Sequence, residues 1–89
     1  MQVRKLRLLR LKYRISLMEL SRVTGLTPQR ISEIELNAGN MQDATIQKLL
    51  GGVEQVILKR QKDHAALQYD FQLHKDTLME MVGEADYGL

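Results

Sequence analysis

Apolar residues recur at three- and four-residue intervals along most of the chain, the spacing of helices with one buried face. Val3, Leu6, Leu9 and Leu11, with basic residues between them, predict a first helix ending near Tyr13 or Arg14. Ser16 then offers an oxygen to the free amides of a helix start, and Glu19, three residues on, can reach back to complete a capping box. The helix that starts there carries Leu17, Leu20 and Val23 and stops at Gly25, which tolerates the left-handed backbone of a helix end. Thr27 is a good N-cap, and Pro28 suits the first helical position, where its missing amide hydrogen is not needed. Ile31 and Ile34 face inward, and this third helix ends near Leu36, with Asn37 or Gly39 as a left-handed stop. Asp43 or Thr45 caps a fourth helix holding Ile46, Leu49 and Leu50. Almost nothing reads as strand.

Gly51-Gly52 weakens a helix by about 1 kcal/mol per glycine relative to alanine, so a break or a close backbone contact is expected there. Residues 53–82 contain neither Pro nor Gly and read as helix. Val53, Ile57, Arg60, His64, Leu67, Phe71, His74, Leu78 and Met81 follow an uninterrupted 4,3 spacing, and six of the nine are apolar. That is a coiled-coil seam with polar interruptions. The rival reading breaks the helix between Lys59 and Asp63 and folds the two parts back on one another. Gly83 closes the helix, and the remainder is a loose tail. The expected fold is all-α: a compact bundle of four or five helices over residues 1–52, a helical extension over 53–82 and a tail over 83–89.

A length of 89 residues and 10.3 kDa suits one small domain with an appended element. Such a chain buries only about 60 to 65 per cent of its unfolded surface, so a second copy would add useful core. Without cysteine, disulfides and thiolate metal sites are excluded. No apolar run approaches the roughly 20 residues that cross a bilayer, and the charged N-terminus does not read as a signal peptide, so a cytoplasmic, nucleoid-associated location is expected. The net charge of +2 conceals an asymmetry: residues 1–50 carry nine Lys/Arg against four acids, and residues 51–89 four against seven. A basic first half points to a polyanionic partner. His64 and His74 have no ligand cluster at metal spacing and read as packing residues, as do Tyr69, Phe71, Met79 and Met81. A pH-sensitive dimer through histidine protonation is a remoter option. No nucleophile–base arrangement, phosphate-cradling glycine loop or paired-carboxylate pocket is visible, so neither an enzyme nor a cofactor is expected.

Two helices joined through a glycine turn, the second about eight residues long, have helix-turn-helix spacing. The run ISLMELSRVTGLTPQRISEIE, Ile15 to Glu35, resembles the Cro/CI-type (XRE, lambda-repressor-like) DNA-binding domains. Ile15, Ser16, Glu19, Leu20, Gly25, Leu26, Thr27, Ile31, Ser32, Ile34 and Glu35 stand in register with that family's pattern, and the likeness extends from about Val3 to Val53. The resemblance implies a recognition helix over Pro28–Leu36 whose leading end enters the major groove. Gln29 and Arg30 would read bases, and Glu33 would accept from cytosine or orient its neighbours. Thr27, Ser16, Arg22, Arg14 and Asn40 would meet the DNA backbone. Glu35 would be structural, bridging to a basic residue. The chain departs from the family at Leu17, where glutamine is frequent, at Ser21, where alanine is, and in the loop from Asn37 to Met41, which lacks two basic residues. Grip on phosphates would then rest on the N-terminal arginines among Arg4, Lys5, Arg7, Arg10, Lys12 and Arg14. The expected role is a homodimeric, sequence-specific double-stranded DNA-binding regulator, more readily a repressor than an activator. Its two chains would pair along Val53, Ile57, Leu67, Phe71, Leu78 and Met81. The alternative is an antitoxin or phage-type accessory protein whose C-terminal helix binds a partner protein.

Overall fold

The computed structural model of the chain describes residues 2–37, 39–60 and 64–83 and is mostly helical. Local chemistry sets the two central helices. Ser16 Oγ accepts from the Glu19 amide at 2.9 Å and starts α2 (Leu17–Thr24), and Gly25 ends it in the left-handed region at φ 77. Thr27 Oγ1 accepts from the Arg30 amide at 3.1 Å, Pro28 takes the first helical position, and α3 runs Pro28–Leu36. Only half of the expected capping box forms, because the Glu19 carboxylate pairs with Arg60 Nη2 at 2.9 Å. α4 (Asp43–Lys59) starts after Gln42 without a side-chain cap, and Asp43 lies inside its first turn, so neither Asp43 nor Thr45 is the cap. Asn37 is likewise extended (φ −122) and not left-handed; its side-chain amide donates to the Glu33 carbonyl at 2.6 Å.

The first and last described segments meet. Residues Gln2–Arg4 form a strand, β1, where the first turn of a helix was expected. It pairs antiparallel with β2 (Met81–Gly83), Val3 opposite Val82. α1 (Lys5–Lys12) begins only after it, and Arg4, its N-cap, provides no side-chain cap. Instead, the Lys5 amide donates to the Glu80 carbonyl and the Leu6 amide to the Leu78 carbonyl, each at 2.8 Å. Two of the four free amides of this helix start are therefore satisfied by the far end of the chain.

The extension predicted for residues 53–82 is not present. α4 runs unbroken through Gly51-Gly52, then gives way to α5 (His64–His74), a short 3-10 turn at Lys75–Thr77, and β2. Residues 61–63, the centre of the alternative break, lie outside the described residues, as do the His64 side chain and residues 84–89 of the tail. A single helix of 30 residues would measure about 45 Å at 1.5 Å per residue. The greatest extent of the molecule is 33 Å and its radius of gyration 12.0 Å, close to the roughly 12 Å of a compact domain this long. The proposed seam is spent within one chain: Val53, Ile57, Leu67, Phe71 and Leu78 are buried in its core beside Leu6, Leu9, Leu20, Ile31 and Leu49, and Met81 is half-buried in β2. Gly52 packs α4 tightly against α2: a Cβ there would fall on the Thr24 methyl and 3.3 Å from Leu20 Cδ1 and Val23 Cγ2. Of the two readings of the glycine pair, close contact is the one found. Among the described residues, no helix is long and apolar enough to cross a membrane.

Candidate nucleic-acid interface

α3 divides cleanly into two arcs at 100° per residue. Ile31, Ile34 and Glu35 turn inward and are buried; Gln29, Arg30 and Glu33 turn outward and are exposed. Glu35 is fully buried, and Arg10 meets its carboxylate with both arms, Nε at 2.8 Å and Nη2 at 2.9 Å, while Arg7 Nη1 stands 3.7 Å away. A buried carboxylate needs such pairing. This bidentate bridge fixes the inner face of α3 to α1.

On the outer face, Arg30 Nη1 lies 3.9 Å from Glu33 Oε2, with the two side chains 54% and 53% exposed. A solvent-exposed pair at that distance is worth little, about 0 to 1 kcal/mol, and an incoming ligand can replace it. A hollow of about 260 Å³ at the back of this face joins Arg30 and Glu33 to Asn37 and Asn40. Thr27 is exposed at the front of α3, Ser16 at the front of α2, and Arg14 and Arg22 are exposed as well. The three residues expected to read bases thus share one open surface, with Asn40 at its rim. The hydroxyl oxygens of Thr27 and Ser16 are already engaged in capping.

Most of the basic N-terminal segment is drawn inward, and of it only Arg4 lines the hollow behind that surface. Arg4, Lys5 and Arg10 are each only 7% exposed. Arg4 donates to the carbonyls of Ile34 (2.7 Å), Met79 (2.6 Å) and Gly39 (2.7 Å), and Lys5 Nζ donates to Thr77 Oγ1 at 2.6 Å. Burial draws the Arg4 guanidinium below its ordinary range. Lys12 Nζ holds Asp70 at 2.7 Å, and the Tyr13 hydroxyl bonds the same carboxylate oxygen. These two hydrogen bonds, Lys12's first, hold the Asp70 carboxyl below its usual value. Of the six basic residues expected mostly to face solvent, with the phosphate grip falling to some of them, Arg14 alone has an exposed arginine head left over from such contacts; its own carbonyl accepts from Arg60 Nη2 at 3.1 Å.

Two residues with positional roles escaped the sequence reading. Arg60 clamps the other end of the helix pair, donating to the carbonyls of Tyr13 and Arg14 and to Glu19. Its signal was an arginine on a mostly apolar 4,3 stripe, a position that faces protein. Arg4 left a similar trace, a charge between Val3 and Leu6. His74, also on that stripe, is half-buried, and desolvation first, then the charge of Lys5, holds its pKa below the ordinary 6.5.

α2, the turn at Gly25 and α3 are two short helices joined by a turn, with a buried inner face and an open polar outer face, in a compact and mostly helical structure. No family model, curated protein or solved structure matches the chain.

Proposed function

We propose that the chain is a sequence-specific double-stranded DNA-binding regulator of the Cro/CI type, with α3 as the recognition helix and repression by occupancy as its mode of action. One observation carries this reading: Gln29 and Arg30 stand exposed at the leading end of a rigidly backed helix, with Glu33 one turn further along the same open face. Gln29 has the donor–acceptor pair that matches adenine, and Arg30 the fork that matches guanine. Glu33, now beside Arg30, is placed either to accept from cytosine or to aim the guanidinium. Thr27, Ser16, Arg14, Arg22 and Asn40 are the candidate contacts to the sugar-phosphate strands, Thr27 and Ser16 at helix starts whose free amides favour phosphate. Pairing of two chains through residues 53–82 does not belong to this proposal, because the core uses those side chains.

Selection from a random duplex library tests it. Wild-type chain is expected to enrich a short motif, and Gln29→Ala or Arg30→Ala to weaken binding to it by about 1 to 3 kcal/mol while relaxing one or two positions. A motif unchanged by both substitutions would contradict the assignment.

A second reading, attachment to another protein, is favoured by Leu58, Tyr69 and Leu73, which are 78%, 67% and 62% exposed on α4 and α5. Light scattering distinguishes the two for the purified chain: self-association that Leu58→Ser abolishes assigns these residues to a second copy, whereas a clean monomer leaves them for a different protein.

A further inference from the structure

We infer that Arg4, which lies outside the helix-turn-helix pair, is a positioning residue for base reading by α3; this rests on the DNA-binding role proposed above. One guanidinium joins three separate segments. Its Nε serves the Ile34 carbonyl in the last turn of α3, its Nη2 the Gly39 carbonyl in the loop that leaves α3, and its Nη1 the Met79 carbonyl just before β2. The last four carbonyls of a helix have no partner within it, and the C-terminal end carries partial negative charge. Arg4 answers both needs at Ile34, as Asn37 does for the neighbouring Glu33 carbonyl with a neutral amide.

The other side of the clamp is fixed too. The backbone of Arg4 is paired with Met81 across the ribbon, and the next two amides are held by Glu80 and Leu78. The back end of α3 is thereby tied to the place where β1 and β2 pair. α3 has nine residues and so is about 13 Å long. A rod that short transmits a tilt at its back end to Gln29 and Arg30 at its front, and recognition tolerates only about 0.5 Å or 10 to 20° of error. Arg4 is only 7% exposed and its guanidinium is engaged by three carbonyls, which leaves little of it for phosphate. Its effect on binding is therefore geometric, and lysine, a point charge without the fork, replaces only part of it.

The test compares the wild-type chain with Arg4→Met, Arg4→Lys and Arg30→Ala, all shown to be folded by circular dichroism. Affinities for a duplex of the selected motif and for a scrambled duplex are measured across a salt series, and backbone carbonyl shifts of Ile34, Gly39 and Met79 are recorded by NMR. For Arg4→Met the motif-to-scrambled ratio is expected to fall at least tenfold, with scrambled affinity within twofold of wild type and an unaltered salt slope. All three carbonyl shifts should move, and Arg4→Lys should recover part of the ratio. An unchanged ratio in folded Arg4→Met overturns the inference. So does a salt slope shallower by about one, the mark of a lost phosphate contact. Should Arg4→Met fail to fold, the same two results in Arg4→Lys overturn it. A wild-type chain that does not distinguish the duplexes removes the DNA-reading proposal, and the inference with it. If Arg30→Ala loses the ratio and both Arg4 variants keep it, the inference alone fails.

Discussion

Gly51 and Gly52 are neighbours in the middle of α4, and the fold needs only the second. Open space surrounds a Cβ at 51, so Gly51→Ala should stabilise by up to about 1 kcal/mol through helix propensity. At 52 the added methyl would strike the side chain of Thr24, whose hydroxyl is tied to the Leu20 carbonyl at 2.8 Å and which therefore cannot easily turn away. Overpacking of about 1 to 3 kcal/mol outweighs the propensity gain, and Gly52→Ala should lower the urea midpoint. A higher midpoint for Gly52→Ala would mean that α2 and α4 can separate without loss. Glu35 poses a different problem. Removing it strands Arg10, so Glu35→Ala should destabilise by about 3 to 5 kcal/mol, while Arg10→Met with Glu35→Leu recovers most of that in a double-mutant cycle. Two titrations act in the same direction but over different pH ranges. His74 has a folded pKa below 6.5, so the unfolded chain binds the proton first and stability declines as pH falls from about 6.5. Asp70 has a folded pKa below 3.8, so its contribution is complete above that value and disappears as pH falls through the lower folded one. Urea midpoints against pH should lose the first decline in His74→Gln and the second in Asp70→Asn. A His74→Gln curve that follows wild type from neutral pH down to about 4 would contradict the assignment to His74.

At the level of elements, legibility followed locality. α2 and α3 could be read because Ser16, Gly25, Thr27 and Pro28 act within three or four residues of themselves. β1 could not, because three residues become a strand only through a partner nearly eighty positions away. The stripe from Val53 to Met81 was a partial success. Its 4,3 period correctly marks a face that is covered, with Val53, Ile57, Leu67, Phe71 and Leu78 all buried. Periodicity says nothing of what covers the face, and here it is the same chain, α2 packing on α4 and α4 on α5. One consequence is measurable. A chain ending at Val53 loses Val56, Ile57, Leu67, Phe71 and Leu78 from the core. At about 2 kcal/mol for each buried side chain this removes some 10 kcal/mol, as much as the whole stability of a typical domain. The shortened chain should show no cooperative thermal transition; a wild-type-like melt would restore the two-part organisation.

Considered whole, the molecule is a single unit whose basic first half is largely turned to internal use. Charge counted along the sequence suggested a phosphate-gripping arm, but Arg4, Lys5 and Arg10 are buried and Lys12 is paired with Asp70. The arginines left exposed on the helix-turn-helix side are Arg14, Arg22 and Arg30. Arg14 and Arg22 as phosphate contacts give a slope of log K against log salt of about −2, whereas the full six-residue arm together with Arg22 would give about −6. Binding should accordingly be modest in strength and less salt-sensitive than the composition suggests, and an anisotropy titration at several salt concentrations separates the two values. Base reading, and hence the orientation of α3, must then supply a large share of any preference between sequences.

The most direct check of that orientation is amide NMR of the labelled chain during titration with duplex DNA. Shifts should concentrate at Gln29, Arg30 and Glu33 and at the starts of α2 and α3, leaving Leu58, Tyr69 and Leu73 on α4 and α5 unmoved. Shifts gathered on α4 and α5 with the outer face of α3 silent would contradict it.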